Sequence, residues 1–322
     1  MTAKPLLSTA CRTVIRSELR LGLVGCGRLA ERAYVHAVQR AEGVRLTAVA
    51  DPVAARCERV APGVRHFASA ADLLAARAAD ILVLATPADA HVEDARRASE
   101  VGMPTLVEKP PARNGDEAAM LAALDPPPWI GFNRRFEDRI ARLREATRDT
   151  SALDLSLRLT VRAGSWDAYD VRDPVLLDLG PHLVDLALWL SRRRPERVAA
   201  RVEDNAASIR LELDGGGSAL LRVAACARHR EQFDVRTDRG RARYRTGGFV
   251  RSLRAKNPLI PSLTRQLESF ARAARGYEEP VLATAAQGFA VMRILDAVRA
   301  SSELGETLIG VDVSADARNL RA

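Results

Sequence analysis

The chain has 322 residues, 47% of them hydrophobic, which is enough for a substantial core and predicts two domains rather than a disordered or fibrous protein. Its net charge is +8, yet arginine is scattered among acidic residues and aromatic residues make up only 4%, so we expect no nucleic-acid partner. No apolar run reaches the roughly 18 residues that span a bilayer, and the first twenty residues lack the apolar stretch of a secretory signal. We therefore expect a cytoplasmic protein without membrane contact.

From about Leu21 to Asn133, short apolar runs alternate with amphipathic helical patterns, which is typical of a parallel sheet with crossover helices. The predicted strands are Leu21–Val24, Val44–Ala50, His66–Ala68, Ile81–Ala85, Thr105–Val107 and Trp129–Phe132. Three prolines after Asp125 must end the fifth helix. We predict a Rossmann domain over residues 1–132, in which residues 1–19 form an N-terminal extension.

The first of these strands leads into a GxGxxA turn and then a helix. Gly25 permits a tight turn, Gly27 lets the backbone approach a pyrophosphate, and Ala30 allows close helix packing. Asp51 follows the second strand, where its carboxylate can accept hydrogen bonds from a ribose diol. The turn therefore predicts NAD, although nearby Arg56 leaves NADP open and Asp51 alone can also be a turn residue before Pro52. The predicted cofactor-binding residues here are Gly25, Gly27, Arg28, Leu29, Ala30 and Asp51.

After Phe136 the pattern changes to a helix, Glu137–Ala146, followed by segments with a period of two. These predicted strands are Leu153–Val161, Arg197–Val202, Ser208–Leu213, Ala219–Ala225, Gln232–Thr237 and Ala242–Thr246. Three consecutive glycines, 215–217, predict a hairpin and an antiparallel sheet. Two helices, Pro261–Ala274 and Thr284–Ser302, and a last strand, Thr307–Val313, complete a second α/β domain over residues 133–322.

Two short motifs carry chemically active side chains: Glu108-Lys109-Pro110 at the end of a strand, and Asp178-Leu179-Gly180-Pro181-His182 at the start of an apolar helix. The chain has only three lysines, so a lysine at position 109 indicates a chemical need, since a buried lysine can exchange a proton near neutral pH whereas arginine stays charged. Asp178 and His182 are four residues apart and can share one helix face. The alternatives are a solvated strand-end lysine, a core histidine and a helix-capping carboxylate.

Four single cysteines, Cys11, Cys26, Cys57 and Cys226, lack the CxxC spacing of a zinc site. We expect reduced thiols and no metal.

The order and spacing of six motifs resemble the Gfo/Idh/MocA family, from about Leu21 to Val313. The motifs are GCGRLAE at Gly25–Glu31, LATPADAH at Leu84–His91, GMPTLVEKP at Gly102–Pro110, GFNRRF at Gly131–Phe136, DLGPHLVD at Asp178–Asp185 and RILDAVRAS at Arg293–Ser301. The resemblance implies that the second domain has an open, mainly antiparallel sheet used for substrate binding and oligomerisation. It also implies that Lys109 transfers a proton, that His182 completes a Lys/His pair, and that Asp178 fixes a substrate hydroxyl or the imidazole.

Further positions are predicted around these motifs. Glu108 is expected to hold a cofactor ribose, and Thr86, Pro87 and His91 are expected to line the dinucleotide cleft, although His91 can equally serve its own helix. The predicted substrate-binding residues are Asn133, Arg134, Trp166 and Tyr169. Arg134 can instead form a structural ion pair at the domain junction, and the two aromatic residues can simply cover the sheet.

Together these motifs predict an NAD(P)-dependent oxidoreductase that acts on a secondary alcohol or ketone of a sugar, sugar derivative or cyclitol, as a homodimer or homotetramer. Two alternatives stay open. One is an enzyme that retains its cofactor and uses transient oxidation for epimerisation, elimination or glycoside cleavage. The other is a non-catalytic ligand-sensing regulator with the same fold.

Overall fold

A computed structural model of the chain describes residues 18–162, 174–226, 228–246, 257 and 259–313. In the N-terminal part, six parallel strands form a sheet: β1 (Leu19–Val24), β2 (Val44–Ala50), β3 (Arg65–Phe67), β4 (Ile81–Leu84), β5 (Thr105–Glu108) and β6 (Trp129–Gly131). Their spatial order is β6-β5-β4-β1-β2-β3. The predicted Rossmann fold is confirmed, and the carboxyl ends of all six strands meet at one edge, where such sheets bind ligands.

The helices between these strands include one irregular element. A π-helical segment, Ala30–Tyr34, continues into α1 (Val35–Val38). The others are α2 (Ala54–Val60), α3 (Ala70–Ala75), α4 (Ala88–Glu100) and α5 (Gly115–Ala122). Helix α5 ends before the proline run, as predicted, because proline lacks the N–H group that a helix interior needs.

The second half begins with α6 (Asp138–Glu145), β7 (Leu153–Arg162), α7 (Val175–Ser191), β8 (Pro195–Glu203), β9 (Ala206–Leu213), β10 (Ser218–Cys226), β11 (Arg230–Thr237) and β12 (Gly240–Thr246). Its strands form a sheet in the order β12-β11-β7-β10-β9-β8. The predicted antiparallel pairing holds except that β7 and β10 are parallel. A period of two indicates a strand but not its direction, and β10 follows a crossover through α7, β8 and β9, which permits parallel pairing.

The chain ends with α8 (Leu259–Ala273), β13 (Ala283–Thr284), α9 (Ala285–Glu303) and β14 (Ile309–Gly310). The predicted last strand, Thr307–Val313, is shortened to the two residues of β14, which pair with β8 at the edge of the second sheet. By contrast, β13 pairs with β6, and α8 packs in one apolar cluster with the β1–β4–β5 side of the first sheet. The division of the chain at residue 132 stays a prediction, and three C-terminal elements, α8, β13 and α9, contact the first sheet.

Helices α7 and α9 pack against the inner face of the second sheet, where the alternating residues of β7 are buried. Within the described part of the chain, no helix is both long and apolar enough to cross a membrane.

Candidate active site

The turn after β1 has the shape that its glycines predict. Gly25 has a φ of +93°, and a Cβ there would lie 2.5 Å from the carbonyl oxygen of Ala85, so only glycine fits. A Cβ at Gly27 would meet no atom within 4 Å, which leaves open space beside the backbone. The Glu31 N–H closes the first helical bond to the Gly27 carbonyl at 3.0 Å, so the N–H groups before it point out of the helix start. This space suits a phosphate group.

The helix start itself is held by local contacts. The guanidinium of Arg28 pairs with Glu31 at 3.1 Å, Leu29 is partly buried, and Ala30 is buried against the first sheet. Ala30 therefore occupies the close-packed position predicted for it. Arg28 and Leu29 lie at the mouth of the turn.

Asp51 lies at the carboxyl end of β2, beside the glycine turn, and its carboxylate is oriented by the backbone. Oδ2 accepts the N–H of Cys26 and Oδ1 accepts the N–H of Val53, both at 2.9 Å. The Arg56 guanidinium lies 3.9 Å from Oδ1. The carboxylate is thus held next to the space at Gly27, as a ribose diol requires.

The loop after β4 forms another wall of this cleft. Pro87 is exposed at the start of α4, whereas the hydroxyl oxygen of Thr86 is buried and has no hydrogen-bond partner among the described residues. A buried hydroxyl without a partner is costly, so it is a natural contact for a bound molecule.

His91 is fully buried on α4 and contacts main chain on both sides of its ring. Its Nε2 lies 2.9 Å from the Thr86 carbonyl oxygen, and its Nδ1 lies 3.1 and 3.2 Å from those of Pro110 and Pro111. Burial lowers the pKa of His91. The ring therefore joins the loop after β4 to the loop after β5, and both of its nitrogens face protein.

Glu108 ends β5 and is buried. Its Oε1 accepts a hydrogen bond from the hydroxyl of Tyr34, and its Oε2 accepts the Lys109 N–H at 2.9 Å. Burial raises the pKa of Glu108. Each carboxylate oxygen keeps a second lone pair, so a ribose hydroxyl can still bind there.

Lys109 and Asp178, which are 69 residues apart in sequence, form the centre of the site. The Nζ of Lys109 donates to Oδ1 of Asp178 at 2.8 Å and to the Asp178 carbonyl at 2.9 Å. Asp178 lies in the first turn of α7 and keeps 42% of its side chain exposed, against 17% for Lys109. The ion pair thus faces solvent at the mouth of the cleft.

His182 follows one turn later on α7. Its Nδ1 is buried and lacks a hydrogen-bond partner in the described part of the chain. Burial and the positive charges of Lys109 and Arg134 hold the pKa of His182 well below its usual range. The imidazole is therefore neutral beside two cations, and the two motifs predicted from sequence are brought together.

The predicted substrate residues after β6 make mainly internal contacts. Asn133 and Arg134 lie in a 3-10 segment, Asn133–Phe136, and both are buried. The amide of Asn133 donates to Ser262 at 3.1 Å, and the Arg134 guanidinium pairs with Glu231 at 2.8 Å. The Arg134 Nε has no partner among the described residues. Trp166 and Tyr169 lie outside the described residues.

Sequence reasoning missed two residues that support this site, Tyr34 and Glu231. Tyr34 occupies the apolar face of its helix, where an aromatic residue normally indicates core packing. Glu231 lies on β11, and its burial follows from the period of two, but its partner Arg134 is 97 residues away. No local signal reveals either contact.

Taken together, the residues at the carboxyl edge fit a dinucleotide: an open glycine turn, an oriented carboxylate at Asp51, an unpartnered hydroxyl at Thr86, and Glu108 beside Lys109. Among the described residues, no group of three or more His, Cys, Asp or Glu side chains could hold a metal ion.

Two family models match the chain. One, described as "Oxidoreductase family, NAD-binding Rossmann fold", matches residues 19–125, and the other, "GFO/IDH/MocA C-terminal domain", matches residues 158–243. The first match identifies the N-terminal part as NAD-binding.

Relatives and solved structures agree with these models. The chain is 28% identical to the "Rhizopine catabolism protein MocA" of Rhizobium meliloti, over 87% of this chain and 94% of that protein. It is 29% identical to an "Inositol 2-dehydrogenase" of Corynebacterium glutamicum, where the match covers 55% of each chain. The fold is similar to that of scyllo-inositol dehydrogenase from Lactobacillus casei with bound NAD(H) and scyllo-inositol, with a TM-score of 0.75, 16% identity and coverage of 92% and 100% of the two chains.

Proposed function

The chain belongs to the Gfo/Idh/MocA family of NAD-binding oxidoreductases, and from this premise we propose that it transfers a hydride between NAD and a secondary alcohol or ketone of a cyclitol or sugar derivative. The observation that carries the proposal is the Lys109–Asp178 pair, which lies at the open end of β5, directly after the buried Glu108 of the dinucleotide cleft.

Each side chain at the pair has a proposed role. Lys109 holds or releases the hydroxyl proton at Nζ, and Asp178 fixes the position of that nitrogen through its 2.8 Å contact. His182 is neutral and can accept a hydrogen bond. Bound NAD supplies the hydride acceptor at its nicotinamide ring.

The cofactor side is proposed to use the residues of the carboxyl edge. Gly25, Gly27 and the helix start at Arg28, Leu29 and Ala30 would hold the pyrophosphate, and Asp51 the adenosine ribose. Thr86, Pro87 and Glu108 would line the nicotinamide half. His91 would support the cofactor site indirectly by holding the Thr86 carbonyl in place, since both of its ring nitrogens face the backbone.

On the substrate side, Asn133 and Arg134 are proposed to form the polar floor of the pocket, and Trp166 and Tyr169 its wall. The positive charge of Arg134 acts on His182, which supports a place near the reacting groups. A cyclitol is the proposed substrate class because two relatives are named for rhizopine and inositol.

A homodimer or homotetramer is also proposed, with the outer face of the second sheet as the contact surface. The inner face is covered by α7 and α9, whereas the outward residues of the central strands, such as Arg158, Arg210 and Arg222, are exposed.

The first test is a titration of the purified chain with NADH and with NADPH, followed by nicotinamide fluorescence, and then a screen of cyclitols and sugars for NADH formation. We expect saturable binding with a preference for NADH and turnover of at least one cyclitol. Turnover without a net change in NADH would instead favour the retained-cofactor alternative. Failure to bind either cofactor, with none co-purified, would favour the sensor.

The role of Lys109 is tested by Lys109→Ala. Because the variant removes the proton-transferring group and leaves the glycine turn and Asp51 intact, turnover should fall at least about a hundredfold while NADH affinity stays within about twofold. Arg113→Ala, at an exposed ion pair a few residues later, is the matched control. Full activity of the Lys109 variant would refute the assigned role.

A further inference from the structure

Tyr34 is buried between the glycine turn and the end of β5. Its side chain is 0% exposed and lies in one apolar cluster with Ile81, Val83 and Leu106. The hydroxyl in this apolar surrounding donates to a single group, Oε1 of Glu108. Phenylalanine would satisfy the packing equally well, so the contact with the carboxylate is what the hydroxyl adds.

The segment that carries Tyr34 is also unusual. Tyr34 is the last residue of the π-helical segment that follows the glycine turn. π-Helical turns are rare and proteins retain them mostly at functional sites. The irregularity therefore lies directly between the pyrophosphate end of the cleft and the carboxylate of Glu108.

Opposing influences act on the pKa of the Glu108 carboxylate. Burial raises its pKa, whereas the Tyr34 hydroxyl, the Lys109 N–H and the Lys109 charge act to lower it. Tyr34 and Lys109 are the titratable groups that act on Glu108 among the described residues, and on β6 the backbone of Gly131 lies against its carboxylate. Loss of the Tyr34 hydroxyl would therefore move the protonation of Glu108 to higher pH.

We propose that Tyr34 is a positioning residue for the nicotinamide end of the cleft, because its hydroxyl orients the Glu108 carboxylate and preserves its negative charge beside Lys109. This inference rests on the proposed NAD-dependent function. A negative charge at that place favours a cationic ring over a neutral one, so the pair selects oxidised NAD⁺ over NADH.

The test compares Tyr34→Phe, Glu108→Gln and the double variant. Dissociation constants for NAD⁺ and NADH are measured by calorimetry from mildly acidic to alkaline pH. Tyr34→Phe should weaken NAD⁺ binding about threefold to tenfold in the pH range over which Glu108 titrates, with recovery at higher pH, because a pKa shift of one unit corresponds to a tenfold change in ionisation. NADH binding should change little.

Glu108→Gln removes the negative charge at every pH, so it sets the largest loss of NAD⁺ affinity that Tyr34→Phe could cause. It should weaken NAD⁺ binding at every pH, without alkaline recovery, and Tyr34→Phe should add nothing in its background. If Tyr34→Phe does not fold, Glu108→Gln alone still tests the charge, because the pH dependence of the NAD⁺ to NADH preference must disappear.

Tyr244→Phe is the matched control, since Tyr244 donates to the buried Glu231 at 2.9 Å in the second sheet. Its NAD⁺ affinity should keep the pH profile of the unmodified chain. The proposal is overturned if Tyr34→Phe binds NAD⁺ as the unmodified chain does across the pH range, or if its loss is independent of pH. Failure of the unmodified chain to bind either cofactor would overturn the proposed function itself, and this inference with it.

Discussion

Each half of the molecule contains a buried tyrosine–glutamate pair, and the pKa values of the two glutamates are shifted in opposite directions. In the second sheet, burial acts to raise the pKa of Glu231, but Arg134, His229 and Tyr244 outweigh it and hold that pKa far below the usual range. At the end of β5, burial dominates and the pKa of Glu108 is raised. Both carboxylates accept a tyrosine hydroxyl, so the difference comes from His229 and above all from the guanidinium of Arg134, which lies 2.8 Å from Glu231.

Glu231 is therefore a structural carboxylate with a fixed charge, whereas the protonation of Glu108 can be adjusted. The Glu231–Arg134 pair joins β11 to the 3-10 segment after β6, and its charge is fixed at any ordinary pH. Glu108 has no guanidinium partner among the described residues, so its charge responds to its neighbours. A carboxylate of this second kind is useful beside a cofactor whose ring changes charge during the reaction.

The largest effect is expected when the second pair is broken. Glu231→Leu would leave the Arg134 guanidinium buried with only Glu137, at 3.5 Å, for compensation. Loss of one partner of a buried ion pair costs about 3–5 kcal/mol, so the urea midpoint should fall strongly.

The double variant Glu231→Leu with Arg134→Met is the control, because it removes the unpaired charge and should regain a large part of the stability. A loss below about 1 kcal/mol in the single variant would show that Arg134 finds another partner and would contradict the structural role of the pair.

The pH dependence of stability should differ in sign between the two carboxylates. The ordinary pKa of Glu is 4.5, and that of Glu231 is lower in the folded state, so its contribution is present above pH 4.5 and is lost as the pH falls below that value. For Glu108 the folded pKa is raised, so the folded state loses stability as the pH rises from 4.5 towards that raised value.

Both contributions to the free energy of unfolding can be measured by denaturant unfolding over a pH series. The series compares the unmodified chain with Glu231→Gln and Glu108→Gln. The deficit of Glu231→Gln should shrink in acid, whereas the stability of Glu108→Gln relative to the unmodified chain should increase with pH. If the stability of either variant changes with pH in parallel with that of the unmodified chain, the pKa shift assigned to that glutamate is contradicted.

The sequence predicts the position of Glu108 and Lys109 but not what surrounds them. The apolar run and the EKP motif locate the end of β5, because buried parallel strands read as continuous apolar runs. Both bounds of β2, Val44–Ala50, are also the predicted ones. Asp178 and His182 share a face of α7 as their spacing requires. These features depend on local periodicity.

Contacts between distant residues could not be predicted in this way. Tyr34 and Glu108 are 74 residues apart, and nothing local distinguishes a core tyrosine from one that donates to a carboxylate. The parallel pairing of β7 with β10 likewise depends on the path of the chain through α7, β8 and β9. The sequence allows Arg134 either a substrate contact or an ion pair, and its partner Glu231 is visible only in the folded chain.

The smallest effect is expected for Tyr244→Phe, which removes one hydroxyl from the second pair. The ring of Phe would keep the contact with Phe233, whose centroid lies 5.4 Å away, and the stacking of Arg139 at 5.6 Å. The 2.9 Å hydrogen bond to Glu231 and the 3.5 Å contact with Glu137 are lost, which costs about 1.5–3 kcal/mol of unfolding free energy because the main acceptor is charged. Because Arg134 still holds Glu231 ionised, the acid end of the stability curve should keep its shape and simply move down. If the pH range over which the contribution of Glu231 to stability is lost moves to higher pH, the hydroxyl, and not the guanidinium, fixes the charge of Glu231. The contrast with Glu108 would then disappear.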